Sequence, residues 1–143
     1  MTNTPSALCG IWRLVSYDVE VQDTGERFPG MGATPAGYVM FSPQGRVWFM
    51  LTAADRPVPV VPEDRIMLLD SMIAYSGKYW VDGQDWVTDV DVAWNPSWVG
   101  TQQRRHFQRD GNRLQVMTPW RVMPNWGAHG HSRSIIEFER EDG

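Results

Sequence analysis

The stretch GYVMFSPQGRVWFMLT, residues 37–52, holds two alternating apolar runs on either side of Pro43-Gln44-Gly45. Proline presets φ at the second position of a turn and glycine supplies a positive φ, so the stretch reads as a β-hairpin with strands 37–42 and 46–52. With Ser42 opposite Arg46, Tyr38, Met40, Trp48 and Met50 share one face, and Val39, Phe41, Val47, Phe49 and Leu51 share the other. Both faces are apolar. One must line an interior, and the other must be covered by a helix or by a partner subunit, which makes a homodimer an expectation.

Outward from this hairpin the same period recurs. GIWRLVSYDVEV (10–21) reads as a first strand, and the Gly- and Pro-rich segment 22–37 as a loop near one rim. In RPVPVVPEDRIMLLDSMIAY (56–75) the period changes: Ile66, Leu69, Met72 and Ile73 are spaced three and four apart after Pro62-Glu63-Asp64, which predicts one short helix. GKYWVDG (77–83) and DWVTDVDVAW (85–94) form a hairpin around Asp82-Gly83, and 101–118 forms another around Asp110-Gly111-Asn112. HSRSIIEFER (131–140) is a last strand. Seven or eight strands, one helix and no βαβ alternation predict a mostly β, antiparallel meander over residues 1–143, closing on itself and so removing its sticky edges.

Composition bounds the function classes. A chain of 143 residues with 42% hydrophobic and 21% charged residues matches one globular domain. The eight Trp, four Tyr and five Phe exceed what a core of this size usually takes, and suit a concave site that grips an apolar ligand; aromatics also simply fill barrels. The formal charge of −4 argues against a phosphate-tracking surface, so no nucleic acid is expected. A lone Cys9, no apolar run after a basic start and no stretch of about 18 to 20 apolar residues lead to the expectation of a cytoplasmic protein with no membrane partner.

Gly10-Ile11-Trp12-Arg13-Leu14-Val15-Ser16, Pro35-Ala36-Gly37-Tyr38, Phe41-Ser42-Pro43-Gln44-Gly45-Arg46, Ala74-Tyr75-Ser76-Gly77, Trp98-Val99-Gly100-Thr101 and Phe138-Glu139-Arg140 together, in this order and spacing, resemble a bacterial and fungal lipocalin-like domain family. The resemblance covers nearly the whole chain. It implies a calycin-type barrel with a central cavity, that is, a single antiparallel lipocalin-like β-barrel with one short helix. Related barrels serve as carriers, as isomerases and as cyclases of natural-product pathways, so the resemblance implies no single activity. Asp89 stands where the family pattern suggests a histidine, and Asp91 where a Glu is common.

Alternation on the strand 86–94 puts Asp89 and Asp91 on one face with Val87 and Ala93, and Trp86, Thr88, Val90, Val92 and Trp94 on the other. If the Asp face is outside, both are solvated strand residues. If it is inside, Arg105, in step with Gln103 and Phe107, can pair with them, and the resemblance suggests that this arginine recurs beside the carboxylate strand. An interior carboxylate has its pKa raised by desolvation and lowered by a nearby guanidinium. Tuned upward, Asp89 serves as a proton-transfer group in an isomerisation or cyclisation, worth about 10² to 10⁴ in rate; locked on Arg105, it only fixes geometry. Asp89, Arg105 and Asp91 are the candidate catalytic residues.

Candidate substrate contacts are Tyr38, Trp48, Met50, Tyr75, Tyr79, Trp94, Trp98, Trp120 and Trp126. The last two lie in the Gly- and Pro-punctuated stretch 118–131, which reads as a mouth loop or lid. That stretch also holds His129 and His131, but no third ligand stands at recognisable spacing, so no metal is expected. His106 is expected at the surface. Trp12 and Arg140 read as a cation-π closure of one barrel end, worth about 0.5 to 2 kcal/mol. A phosphate-cradling glycine loop, a Gly-x-Ser-x-Gly elbow and a dinucleotide fingerprint are absent, so no cofactor is expected. The sequence reading is therefore a protein for a hydrophobic small molecule, with a cofactor-independent isomerase or cyclase set against a non-catalytic binder or carrier. A filled core without a cavity is the third possibility.

Overall fold

The computed structural model describes residues 7–141. Ten strands follow in the order β1 (Gly10–Val21), β2 (Arg27–Pro29), β3 (Ala36–Phe41), β4 (Arg46–Thr52), β5 (Met72–Asp82), β6 (Asp85–Ala93), β7 (Gln102–Asp110), β8 (Arg113–Met117), β9 (Arg121–Val122) and β10 (His131–Arg140), with one helix, α1 (Pro62–Asp70), between β4 and β5. Each long strand pairs antiparallel with its neighbour, and β1 pairs with β10 from Trp12↔Arg140 to Val21↔Ser132, closing an eight-stranded barrel. The two-residue β9 and three-residue β2 add only short flaps to β10 and β1.

The β3–β4 hairpin has the register read from its sequence, with Met40↔Trp48 and Tyr38↔Met50. Its turn is closed by the Ser42 N–H on the Arg46 carbonyl at 2.9 Å, with Gly45 at φ 92°. Val39, Phe41, Val47, Phe49 and Leu51 point inward and join Trp12, Trp86, Leu114 and Phe138 in one core. Each fully buried side chain of this size contributes about 1.5 to 3 kcal/mol.

Two bulges interrupt the period of two. Between Leu14 and Ser16 the β1 register against β10 slips, so the inward set passes from Trp12 and Leu14 to Tyr17, Val19 and Val21. In β6 the pairing slips between Ser76↔Val92 and Gly77↔Val90, leaving Asp91 as the extra residue. A side chain on Gly77 would collide with the Asp89 carbonyl oxygen, so the close approach of β5 and β6 there requires glycine.

The barrel has two unlike ends. Tight turns at 42–45, 83–84 and 111–112 mark one; the connections 22–35, 53–71, 94–101 and 118–130 all gather at the other. Trp12 plugs the tight-turn end: it is fully buried, its indole N–H donates to the Leu8 carbonyl at 2.8 Å, and the guanidiniums of Arg140 and Arg109 lie 5.3 and 5.2 Å from its ring. The expected Trp12–Arg140 closure is thus present, with a second arginine added.

Helix α1 departs from expectation. It stops at Asp70, so Met72 and Ile73 belong to β5, and Ile73 faces the barrel interior. The spacing that suggested a longer helix joined the end of a helix to the start of a strand. Pro62 in the first turn and the Asp64 carboxylate, accepting from the N–H groups of Val60 and Val61, start the helix. None of its residues is buried and Ile66 is 64% exposed, so it does not cover the outer face of the β3–β4 hairpin.

Candidate functional site

At the long-loop end the interior changes from hydrocarbon to mixed chemistry. Tyr17 from β1, Tyr75 from β5, Arg105 from β7, Thr118 after β8 and Arg121 from β9 surround a void whose remaining wall is Phe49, Ile73, Trp98, Met123 and Ile136. The void measures only about 10 Å³, about what one water molecule requires. Among the described residues this void is far smaller than the roomy central cavity that the resemblance implies. Phe41, Phe49, Trp86, Phe107 and Phe138 fill the barrel below it, with Trp86 packed edge-on against Phe41 at 4.9 Å.

Arg105 is 6% exposed, inward on β7 in step with Gln103 and Phe107 as the alternation implied. Its guanidinium donates to the Arg104 carbonyl at 3.1 Å and to Gln103 Oε1 at 2.9 Å, and lies 5.9 Å from the Trp98 ring. Arg121 donates to the Ser132 carbonyl at 3.2 Å and to Ser134 Oγ at 3.0 Å. The same Ser134 hydroxyl is 2.8 Å from the Tyr17 hydroxyl, so a chain of neutral oxygens holds Arg121 in place. Burial lowers the pKa of Arg121, against the pull of the Tyr17 hydroxyl, and the like charge of Arg105 adds to the lowering. Tyr75 stacks on Phe49 at 4.9 Å, and its burial pushes the hydroxyl pKa up to about 12, against the pull of Arg105.

The two aspartates are elsewhere. Asp89 is exposed on the outer wall, accepts from Gln102 Nε2 at 3.1 Å and borders an open groove of about 620 Å³ with Arg46, Lys78 and Trp80. Asp91, at the bulge, is gripped by both Arg46 nitrogens at 3.0 and 2.7 Å, which holds its carboxyl below the usual carboxylate range. The expected interior Asp89–Arg105 group does not form. Trp86, Thr88 and Val90 take the inward positions of β6, because enclosing an indole and a valine releases apolar surface whereas enclosing two carboxylates costs solvation.

Other candidates divide similarly. Tyr38, Trp48 and Met50 lie on the outer face, with Met50 60% and Trp48 43% exposed, so they do not line the interior. Tyr79 is interior but sits toward the tight-turn end, with its hydroxyl 3.6 Å from Cys9 Sγ. Trp98, on the 3-10 turn Pro96–Trp98, covers the mouth over Tyr75 at 5.4 Å, and Trp94 packs on its outer side at 4.9 Å. Trp120 faces outward under Arg133 at 4.5 Å. Trp126 is buried in the mouth loop against Tyr17 at 5.6 Å, away from the void. His106 is exposed, as expected, and His129 packs on Phe28 at 4.7 Å. Among the described residues no cluster of three or more His, Cys, Asp or Glu is placed to hold a metal, and no helix is long and apolar enough to cross a membrane.

Sequence reasoning missed Tyr17, Thr118, Arg121 and Met123. Alternation counted from Trp12 sends Tyr17 outward, and only the bulge turns it in. The other three lie in the irregular connection after β8, where no period exists to be read; an arginine amid apolar loop residues was the one available signal.

A closed antiparallel barrel, plugged by tryptophan at its tight-turn end and polar within at its loop end, is the architecture of the lipocalin-like class of small-molecule-binding folds. The chain belongs to the lipocalin-like domain family, whose sequence pattern matches residues 9–141. No curated protein matches it.

Proposed function

We propose that the protein binds a small, largely apolar organic molecule at the loop end of the barrel and releases it unchanged. The observation that carries this reading is the convergence of Arg105, Arg121, Tyr17 and Tyr75 on one void walled by aromatic and aliphatic side chains. Convergent polar groups in an apolar wall orient a ligand. Among the described residues no carboxylate or imidazole is buried, so the interior offers anchoring donors and no base suited to neutral pH. Because the void is small, a ligand must displace mouth side chains, and Trp98 and Met123 are the ones that cover it.

The depth of the same cluster favours a second reading, a cofactor-independent isomerase or cyclase. Guanidinium and tyrosine donors aimed at a developing oxyanion stabilise it. In that case Arg105 and Tyr75 carry the chemistry and Asp89 does not. Native mass spectrometry during incubation with terpenoid, polyketide and aromatic metabolites tests both. Bound compounds recovered unchanged support the binder; conversion that is lost in Arg105→Met and Tyr75→Phe but kept in Asp89→Asn supports the enzyme. A protein that takes up none of them has a filled core and neither role.

The outer wall adds a partner to the proposal. Tyr38, Met40, Trp48, Met50 and Val92 form an exposed apolar face, and Trp48, Met50, Met72 and Val92 border a groove of about 400 Å³. Since α1 leaves this face open, a second copy of the chain is proposed to cover it.

A further inference from the structure

Arg105, buried, and Arg121, partly buried, both line the interior void, and among the described residues neither has an interior counter-charge. All four of their hydrogen bonds described above end on neutral oxygens, two carbonyls, one amide and one hydroxyl. Neither guanidinium takes part in any ion pair among the described residues. The buried polar set of the described residues is Ser, Thr and Arg, with no Asp or Glu. Other arginines behave differently: Arg13, Arg46, Arg104 and Arg133 each meet a carboxylate on the outer wall at 2.7 to 2.8 Å.

Removing a cation from water without a counter-ion is costly, and two cations against one void add their mutual repulsion. A packed apolar core would be cheaper at these positions. The arrangement becomes favourable when a third charge of opposite sign arrives. A guanidinium presents a planar fork of donors that matches the two oxygens of a carboxylate, and a hydroxyl beside it can donate to the same oxygens. Tyr75, Tyr17 and Thr118 supply hydroxyls on the same void, while Phe49, Ile73, Met123 and Ile136 give the rest of a ligand apolar surface to meet. A void about the size of one water suits a planar anionic head, with the apolar body taking the place of Trp98 or Met123 at the mouth.

Resting on the binding reading, we propose that the ligand is an organic carboxylate with an apolar body, its anionic head seated between Arg105 and Arg121. Matched pairs test this on the full chain by titration calorimetry: octanoate against octanol, and cinnamate against cinnamyl alcohol. The acids should bind at least about tenfold more tightly than the alcohols, the scale of a charge-assisted hydrogen bond. Arg105→Met and Arg121→Met should each bring the affinity of the acid down toward that of its alcohol. Without ligand Arg105→Met should melt at or above the wild-type temperature, because a buried charge without an ion-pair partner among the described residues is gone.

Equal binding of acid and alcohol by the wild type overturns the anionic head and leaves the binding reading standing; this comparison needs no variant. Variants that fold and keep the acid preference overturn it too. Inorganic phosphate binding as tightly as octanoate overturns the apolar body. If neither member of either pair binds, the proposal falls, and the binding reading falls with it where the terpenoid, polyketide and aromatic metabolites also stay unbound.

Discussion

Tyr75 shows how one side chain reports on its surroundings. Burial lifts its hydroxyl from 10.0 to about 12. The folded chain therefore holds this proton more tightly than the unfolded chain does. The stabilisation is complete below about pH 10 and drains away as the pH rises through the folded value, by about 2 to 3 kcal/mol in all. Urea melts at about pH 9 and about pH 11.5 should show the wild type losing about 2 kcal/mol more stability than Tyr75→Phe; equal losses would place the hydroxyl in water. At this scale the sequence was legible where a strand kept strict alternation. Arg105 could be put on one face with Gln103 and Phe107 from its spacing, and the structure shows that face to be the inward one. Asp89 and Asp91 could not be placed, because alternation assigns residues to two faces without saying which face is inside, and only the desolvation of two carboxylates against that of an indole settles it.

Elements were legible in kind more than in phase. All of the long strands and the single helix were readable, and the β3–β4 register follows from its Pro-Gln-Gly turn. What alternation could not carry were the bulges in β1 and β6, where one extra residue turns the following side chains to the opposite wall. The β6 bulge leaves β5 and β6 so close that Gly77 has no room for a methyl group. Gly77→Ala must push the two strands apart, and should cost about 1 to 3 kcal/mol in equilibrium denaturation. A variant as stable as wild type would mean that the strands separate freely there. α1 was readable from its start signals, but its apolar residues suggested a packing role that it does not have, since it buries none of them.

At the level of the whole molecule, closure leaves the barrel without free edges but does not hide the apolar outer wall around Trp48 and Met50. Stable pairs of proteins bury about 800 Å² on each partner. Sedimentation should find a dimer at micromolar concentration, and Trp48→Glu with Met50→Glu should return a monomer with an unchanged circular dichroism spectrum. A wild type that sediments as a monomer throughout removes the second copy from the proposal. Such a wall was visible in the sequence as a hairpin apolar on both sides; which side met the core was not.

The seam between β1 and β10 also bears on how the chain reaches this state. β1 can pair with β3 as soon as the first hairpin has emerged from synthesis, but its other edge must wait for a partner that runs from His131 to Arg140. Until then the growing sheet carries an unpaired rim, and the last pairing joins segments far apart along the chain, which makes it the slow one. Ring closure, more than any local hairpin, sets how long a newborn copy remains open to misassociation.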